Sequence, residues 1–264
     1  MTDPAKWDDL RLRIMSAAVV LVLGFGAVWA GGLAVRLLSI VVAGLMIWEL
    51  ARLTAPLRPG QAVAFGALAM GCLAPVLILH GPYWLGLTAV PALVGFLTPR
   101  KDRLVFAVYA MALMLACYAF TAFREGYGLG FTVWLVLVVV ASDVLGYFGG
   151  RILGGPKFWP RVSPKKTWSG TVMGWIGAAI VGLVAAVWAG GPLFLMVFSA
   201  LTAFAAQMGD IAESAMKRRA GIKDSSGLIP GHGGFLDRFD GLIGAAVLVL
   251  CWGLAGLPLP DFGG

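Results

Sequence analysis

The sequence predicts an all-α, polytopic membrane protein with about nine transmembrane helices. Of its 264 residues, 60% are hydrophobic and only 12% are charged, and the mean hydropathy is +0.90. A soluble domain carries about 25% charged residues. Apolar runs long enough to cross a bilayer follow one another from end to end, and no polar segment is long enough to form a separate soluble domain.

Glycine, proline and charged residues divide the apolar sequence into segments. The predicted spans are residues 14–29, 33–50, 62–79, 83–98, 104–122, 129–149, 170–189, 192–212 and 241–257. Acidic residues precede the first span and no small-residue cleavage site follows it, so we expect this span to be retained and not removed as a signal peptide. His80, before Gly81 and Pro82, is predicted to lie in a turn at the membrane interface.

The basic residues predict the orientation in the membrane. With nine spans, all of the 20 Lys and Arg residues except Arg36 and Arg124 fall on one side. Basic residues are retained on the cytoplasmic side, so the N-terminus is expected in the cytoplasm and the C-terminus outside. The net charge of +7 is therefore assigned to topology and anionic lipid headgroups, and no nucleic-acid partner is expected. The connections after spans six and eight are the most basic, which indicates a polyanion site on the cytoplasmic face.

Carboxylates beside apolar spans are the first candidates for a functional site. Asp143 and Asp210 lie near the ends of predicted spans, where an unpaired charge is costly to bury. Asp237 and Asp240 are three residues apart and would share one face of a helix entering span nine. Carboxylates converging there are suited to Mg²⁺, which takes few protein ligands and completes its shell with water and phosphate. A structural ion pair is the alternative for Asp143, Asp210 and Glu213.

Two loop segments are suited to binding phosphate. Ser163-Pro-Lys-Lys-Thr167 precedes span seven, where Ser and Thr suit helix caps and a helix N-terminus with Lys beside it receives phosphate. The alternative is an ordinary cap with a basic flank. The glycine-rich stretch from Gly227 to Gly234 would let backbone N–H groups approach a phosphate or nucleotide, although it is not a Walker P-loop. His232 within it would bond a phosphate, orient a carboxylate, or simply pin the loop.

The C-terminal half resembles the phosphatidate cytidylyltransferases. Residues 214–240 carry the pattern Ser-Ala-Met-Lys-Arg-x4-Lys-Asp-x-Ser-x2-Ile-Pro-x-His-Gly-Gly-Phe-x-Asp-Arg-Phe-Asp of that family. Upstream, the similar positions are Asp143, Tyr147, Gly150, Arg151, Gly154, Lys157, Pro160 and Ser163–Thr167. Ser169 stands where the family usually has Glu, which puts in doubt any essential carboxylate at that position.

The resemblance implies that phosphatidate and CTP react to give CDP-diacylglycerol and pyrophosphate, with Mg²⁺ required and a second, monovalent cation left open. The implied catalytic residues are Lys166, Asp210, Lys217 and Asp237. The implied metal ligands are Asp210 and Asp237, with Asp143 and Asp240 in support. The implied substrate-binding residues are Ser163, Lys165, Lys166, Thr167, Arg218, Lys223, Asp224, His232 and Arg238.

The resemblance also implies a place in the cell and an assembly. We expect a multi-pass protein of the inner membrane that forms a homodimer in the lipid bilayer and has its active site on the cytoplasmic face. Residues 1–125 would supply N-terminal transmembrane helices, and residues 126–264 the catalytic region with cytoplasmic loops at 150–169 and 213–240. Two alternatives remain: a lipid phosphotransferase of the CDP-alcohol type, whose motif begins like Asp237–Gly241, and a transporter.

Overall fold

A computed structural model describes residues 4–79 and 81–262, with side chains for residues 14–79, 81 and 83–262. The turn predicted at His80 lies outside the described residues. The chain folds as two compact units. The first holds the chain up to Tyr118 together with Ala220–Arg238, and the second holds Ala119–Arg219 together with the chain from Phe239 onward. The predicted division of function at residues 125 and 126 stays a prediction.

The first unit is built from apolar helices. In chain order they are α1 (Pro4–Ala30), α2 (Gly32–Thr54), α3 (Pro59–Ile78), a 3-10 helix (Pro82–Ala89), α4 (Val90–Leu97) and the first part of α5 (Arg103–Gly126). Glycines bring α2 and α3 together, since a Cβ at Gly66 would lie 2.9 Å from the carbonyl oxygen of Gly44. Met46, Ile47 and Leu50 of α2 are fully or almost fully buried.

The fourth predicted span is not one continuous α-helix. A 3-10 helix runs to Ala89 and α4 begins at Val90. Pro91 lies in the first turn of α4, where its missing N–H costs little, and this favours the start of a new helix at this point. The segment Tyr83–Leu97 is therefore apolar but shorter than the helices that can cross a membrane.

The second unit contains the end of α5, four further helices and one small sheet. After α5 come α6 (Gly128–Leu153), β1 (Lys157–Trp159), β2 (Ser163–Thr167), α7 (Trp168–Ala189), α8 (Phe194–Ala220) and α9 (Leu236–Leu254), which begins in the first unit. β1 and β2 form an antiparallel hairpin with an irregularity between its two pairs, Lys157 with Thr167 and Trp159 with Ser163.

Small residues let α6 and α7 pack at close range. A Cβ at Gly146 would lie 3.1 Å from the carbonyl oxygen of Gly170, and one at Gly174 would lie 2.9 Å from that of Ser142. Close backbone approach through small residues is the usual mode of helix packing in membranes. It fixes the register between the helix that carries Asp143 and the helix that follows the hairpin.

Six helices in the described residues are long and apolar enough to cross a membrane, namely α2, α3, α5, α6, α7 and α8. This agrees with a multi-pass, mostly helical membrane protein. Ile14–Ala30 and Tyr83–Leu97 are shorter apolar stretches, and α9 begins with a charged turn, so the total of nine stays a prediction. α8 continues to Ala220, past the predicted end at residue 212, and Asp210 therefore lies inside the helix and not at its end.

Candidate active site

A short ion pair connects the hairpin to α8 in the second unit. The Lys166 ammonium lies 2.6 Å from Asp210 Oδ2, and the side chains are 20% and 36% exposed, respectively. Ser214, one turn further along α8, donates to the other Asp210 oxygen at 3.4 Å. Hydrogen bonds between ionised groups are stronger than neutral ones. Two of the predicted catalytic side chains are thus in direct contact.

Three carboxylates of this unit, Asp143, Asp210 and Asp240, form what we call the acidic cluster. Asp240 lies within electrostatic range of both other carboxylates and of Lys217, and Asp143 within range of Asp210 and Lys166. Asp240 Oδ1 also accepts the backbone N–H of Gly241 at 2.8 Å. Like charges at this range repel one another. The ammonium groups of Lys166 and Lys217 offset part of this repulsion.

Glycines allow α8 and α9 to bring Asp210 and Asp240 to the same site. A Cβ at Gly209 would fall on the carbonyl oxygen of Asp240 and would lie 3.1 Å from the nitrogen of Gly244. A Cβ at Gly244 would fall on the carbonyl oxygen of Ala205. No side chain fits between the two helices at these positions. The close contact is the reason that residues 30 positions apart in the chain can share one cluster.

Gln207 is the centre of a buried hydrogen-bond network. Two members of this network, Ser142 and Gln207, lie within three residues of Asp143 and Asp210 in the chain. Gln207, three residues before Asp210, donates to Ser142 Oγ and to the Thr171 carbonyl oxygen, each at 3.2 Å. Its Oε1 accepts the indole N–H of Trp175 at 3.0 Å. Ser142 directly precedes Asp143. Gln207 therefore ties together the three helices α6, α7 and α8 beside the two carboxylates.

Lys217 is held by a neighbour on its own helix. Its ammonium lies 2.5 Å from Glu213 Oε2, four residues earlier, and the Glu213 side chain is fully buried. Removing one partner from such a pair leaves an uncompensated charge. The structure thus supports the ion-pair alternative for Glu213, with Lys217 as its partner. Arg218, the next residue, is exposed.

The helix cap predicted before span seven is confirmed at Thr167. Its Oγ1 accepts the N–H of Gly170 at 3.2 Å. Ser163 is not a cap and lies in β2, and Lys165 in the same strand is exposed. Ser169 bonds Thr167 Oγ1 at 3.0 Å and donates to the carbonyl oxygen of Gly154. It therefore joins the end of the hairpin to the end of α6.

The remaining predicted site residues lie in the first unit, in residues 221–235 (the glycine-rich loop) and at the start of α9. Asp237 Oδ2 accepts three hydrogen bonds, from the N–H and Oγ of Ser225, each at 2.9 Å, and from the N–H of Gly234 at 2.8 Å. Asp237 therefore closes the loop onto the first turn of α9. Its predicted role as a metal ligand stays a prediction, and Lys223, Asp224 and Arg238 are exposed.

His232 lies at a tight turn of the loop. Its N–H donates to the Ile229 carbonyl oxygen at 2.9 Å, and Gly231 and Gly233 on either side have φ values of 74° and 84°. These left-handed conformations favour glycine. His232 Nδ1 lies 3.2 Å from Ser16 Oγ, which also donates to the Pro230 carbonyl oxygen at 2.9 Å. The loop is thereby fastened to α1.

Glu49 is a buried carboxylate that contacts the glycine-rich loop and was not among the residues predicted from the sequence. It lies in α2 with no exposed surface, and its carboxylate accepts hydrogen bonds from Ser226, Phe235 and Leu236. The criterion that singled out Asp143, an ionisable residue within an apolar span, also applies to Glu49.

The acidic cluster supplies carboxylate oxygens but does not by itself form a metal site. Among the described residues, no group of three or more His, Cys, Asp and Glu side chains is placed so that it could hold a metal ion. Mg²⁺ does not need such a group, because it is usually held by one or two carboxylates together with water and substrate phosphates. Asp143, Asp210 and Asp240 supply hard oxygen atoms of the required kind.

Together, the helices and these side chains define a multi-pass membrane protein with neighbouring acidic and basic groups suited to phosphate chemistry. A sequence model described as the cytidylyltransferase family matches residues 11–253. The chain belongs to this family.

Proteins similar to the chain have one named activity. A phosphatidate cytidylyltransferase of Brucella abortus biovar 1 (strain 9-941) is 36% identical over 253 residues, covering 93% of this chain and 94% of that protein. One of Staphylococcus saprophyticus is 30% identical over 246 residues, covering 88% and 94%. One of Helicobacter pylori (strain ATCC 700392 / 26695) is 41% identical over 132 residues, 49% of each chain.

Proposed function

We propose that this protein transfers the cytidylyl group of CTP to phosphatidate, giving CDP-diacylglycerol and pyrophosphate in phospholipid biosynthesis. The observation that carries the proposal is the 36% identity with a phosphatidate cytidylyltransferase over 93% of the chain. The similarity includes the half of the chain in which the acidic cluster and the glycine-rich loop lie. The same observation favours this reaction over the CDP-alcohol type of phosphotransfer and over transport.

The reaction needs no nucleophile from the protein. A phosphate oxygen of phosphatidate attacks the α-phosphorus of CTP, a new P–O bond forms, and the bond to the bridging oxygen of the β-phosphate breaks. That oxygen keeps the bonding electron pair and leaves with pyrophosphate. Both substrates are polyanions, so the protein must supply positive charge where they meet.

Lys166 is the best placed of the proposed phosphate-binding side chains. It lies on β2, and its ammonium is already fixed at Asp210, so a phosphate that shares this ammonium is held beside the acidic cluster. Lys217 is fixed in a similar way by Glu213. Lys165 and Arg218 are exposed and are suited to guiding the nucleotide. Fixed charges of this kind need little rearrangement during the reaction.

Mg²⁺ is the proposed cofactor, and when bound it would supply positive charge beside the phosphate groups. The proposed metal ligands are Asp210 and Asp237, with Asp240 or Asp143 in support. A monovalent cation is a further candidate for the same acidic groups.

The proposal includes an orientation and an assembly. The basic connections of the chain support a multi-pass protein of the inner membrane whose N-terminus and active site face the cytoplasm. That side is where soluble CTP is available. The alternation of basic residues along the chain further supports nine spans. The family resemblance supports a homodimer, which cross-linking in native membranes followed by denaturing electrophoresis would detect.

The proposed activity is tested by the substrate requirement of the purified protein. In detergent micelles with CTP and Mg²⁺, pyrophosphate should be released when phosphatidate is present and not when diacylglycerol replaces it. Diacylglycerol has the same acyl chains and lacks the attacking phosphate, so it is a matched control. Equal release with both lipids, or release with neither, would contradict the assignment.

A further inference from the structure

We propose that Glu49 is a positioning residue for this reaction: its buried carboxylate holds the glycine-rich loop and the first turn of α9 in their working arrangement. The inference rests on the proposed function only in its prediction that the reaction becomes slower when Glu49 is changed. Its structural basis lies entirely within the first unit, in helix α2 and the segment Ala220–Arg238.

The carboxylate of Glu49 is buried and uses both of its oxygens. Oε1 accepts the hydroxyl of Ser226 at 2.5 Å and the N–H of Phe235 at 3.0 Å, and Oε2 accepts the N–H of Leu236 at 2.7 Å. A carboxylate without such partners would be expensive to bury in an apolar helix. The loop therefore stabilises Glu49, and Glu49 in turn fixes the loop, 177 to 187 residues away in the chain.

The two backbone N–H groups belong to the beginning of a helix. Leu236 is the first residue of α9 and Phe235 directly precedes it. The first N–H groups of a helix have no partner within the helix and carry partial positive charge. A carboxylate is well suited to this position. Glu49 thus supplies from α2 the hydrogen bonds that a local capping residue often supplies from within its own turn.

The loop backbone approaches Glu49 more closely than a side chain would allow. A Cβ at Gly234 would fall on Glu49 Oε1 and on Ser225 Oγ. The N–H of the same glycine donates to Asp237. Gly234 therefore lies between two carboxylates, one from α2 and one from α9. This arrangement explains why the residue at 234 is glycine although it is not among those with positive φ.

The held segment carries five of the proposed site residues: Lys223, Asp224, His232, Asp237 and Arg238. Glu49 is buried and contacts the segment, so it acts through the segment and not on the substrates. A displacement of about 1 Å at a reacting group is enough to lower a rate about 100-fold. Loss of the Glu49 hydrogen bonds should therefore reduce catalysis without removing any group that contacts substrate.

The test is Glu49→Gln, which keeps the shape of the side chain but replaces one acceptor oxygen by an N–H₂ donor. The glutamine amide has only one acceptor oxygen, so it cannot accept hydrogen bonds from Ser226, Phe235 and Leu236 at both positions of the former carboxylate. We expect hydrogen–deuterium exchange of residues 224–238 to become faster, and kcat/KM for CTP to fall about 10-fold to 100-fold. Thr54→Val is the matched control, because Thr54 is a buried polar residue of α2 that bonds Leu50 and Arg100 instead of the loop.

Ser226→Ala is a second, milder variant that keeps the Glu49 carboxylate and removes one of its three donors. It replaces Glu49→Gln in the test if that variant does not fold. It should change exchange and kcat/KM in the same direction by a smaller factor. Unchanged exchange of residues 224–238, or a kcat/KM no lower than that of Thr54→Val at comparable Tm, would overturn the inference. A wild-type protein that makes no lipid product would instead overturn the proposed function, while the exchange measurement would still decide the role of Glu49.

Discussion

At the scale of single residues, the central feature is that two of the proposed phosphate-binding lysines already form ion pairs with carboxylates. Lys166 contacts Asp210, and Lys217 contacts Glu213. Such pairs orient the ammonium groups before a phosphate arrives. When a substrate binds, each of these two lysines would interact with its carboxylate and with a phosphate at the same time.

Lys166→Ala should raise the CTP concentration needed for half-maximal rate by about 10-fold, because a hydrogen bond between charged groups contributes about 1.5–3 kcal/mol. Initial rates measured over a range of CTP concentrations give this value. Lys157→Ala is the control, since Lys157 is an exposed lysine of the same hairpin. An unchanged CTP requirement in Lys166→Ala would remove this residue from the nucleotide site.

Asp237→Asn separates two roles of one carboxylate. The amide oxygen can still accept the hydrogen bonds from Ser225 and Gly234, whereas an amide is a much poorer ligand for Mg²⁺ than a carboxylate. We expect turnover to fall about 100-fold while exchange of the loop stays close to wild type. The measurement is the rate at saturating CTP and phosphatidate, and near wild-type turnover would contradict the metal-ligand role.

At the scale of elements, helix contacts through glycine assemble the acidic cluster. α8 and α9 approach each other at Gly209 and Gly244, and α6 and α7 at Gly146 and Gly170. The elements that carry Asp143, Asp210 and Asp240 are therefore fixed by backbone contact. Buried bonds of Gln207 add directional constraints.

Gly209→Ala should destabilise the protein, because its Cβ would fall on the carbonyl oxygen of Asp240 and overpacking costs about 1–3 kcal/mol. We expect a lower Tm in detergent and reduced activity, both from the same displacement of α9. Gly71→Ala is the matched control, since a Cβ at Gly71 has no neighbour within 4 Å. A Tm for Gly209→Ala equal to that of Gly71→Ala would contradict the close contact.

The helices could be predicted from the sequence, because an apolar run of bilayer length must satisfy its backbone hydrogen bonds internally and an α-helix does so within one segment. Predicted spans 62–79 and 170–189 match α3 and α7 to within a few residues at each end. The hairpin was not predicted, because Lys157–Thr167 has no clear period-2 alternation of apolar residues. The fourth span was predicted as one run, residues 83–98, whereas the structure divides it into a 3-10 helix and α4, which has Pro91 in its first turn.

The candidate site was predictable where a short sequence pattern defines it. Acidic and basic residues at positions 143, 166, 210 and 240 were identified from their chemistry, and the second unit brings them together. Glu49 was not identified, because its partners are almost 190 residues away and periodicity carries no information about such contacts. Contacts that join distant segments require the folded structure.

At the scale of the whole molecule, the asymmetric distribution of basic residues predicts the topology. Single cysteines placed in a cysteine-free background report which side of the membrane a position occupies. Arg161→Cys, at the exposed hairpin turn, should react with a membrane-impermeant maleimide only after permeabilisation. Ala189→Cys, at the exposed end of α7, should react in intact cells. The reverse labelling pattern would invert the proposed orientation.

The most direct test of the central claim follows the phosphorus atoms of CTP. Purified protein with phosphatidate and Mg²⁺ is given CTP labelled either at the α-phosphate or at the γ-phosphate. Cytidylyl transfer predicts the α-label in the lipid product and the γ-label in pyrophosphate. A γ-label in lipid, or no lipid label from either nucleotide with or without Mg²⁺, would contradict the account.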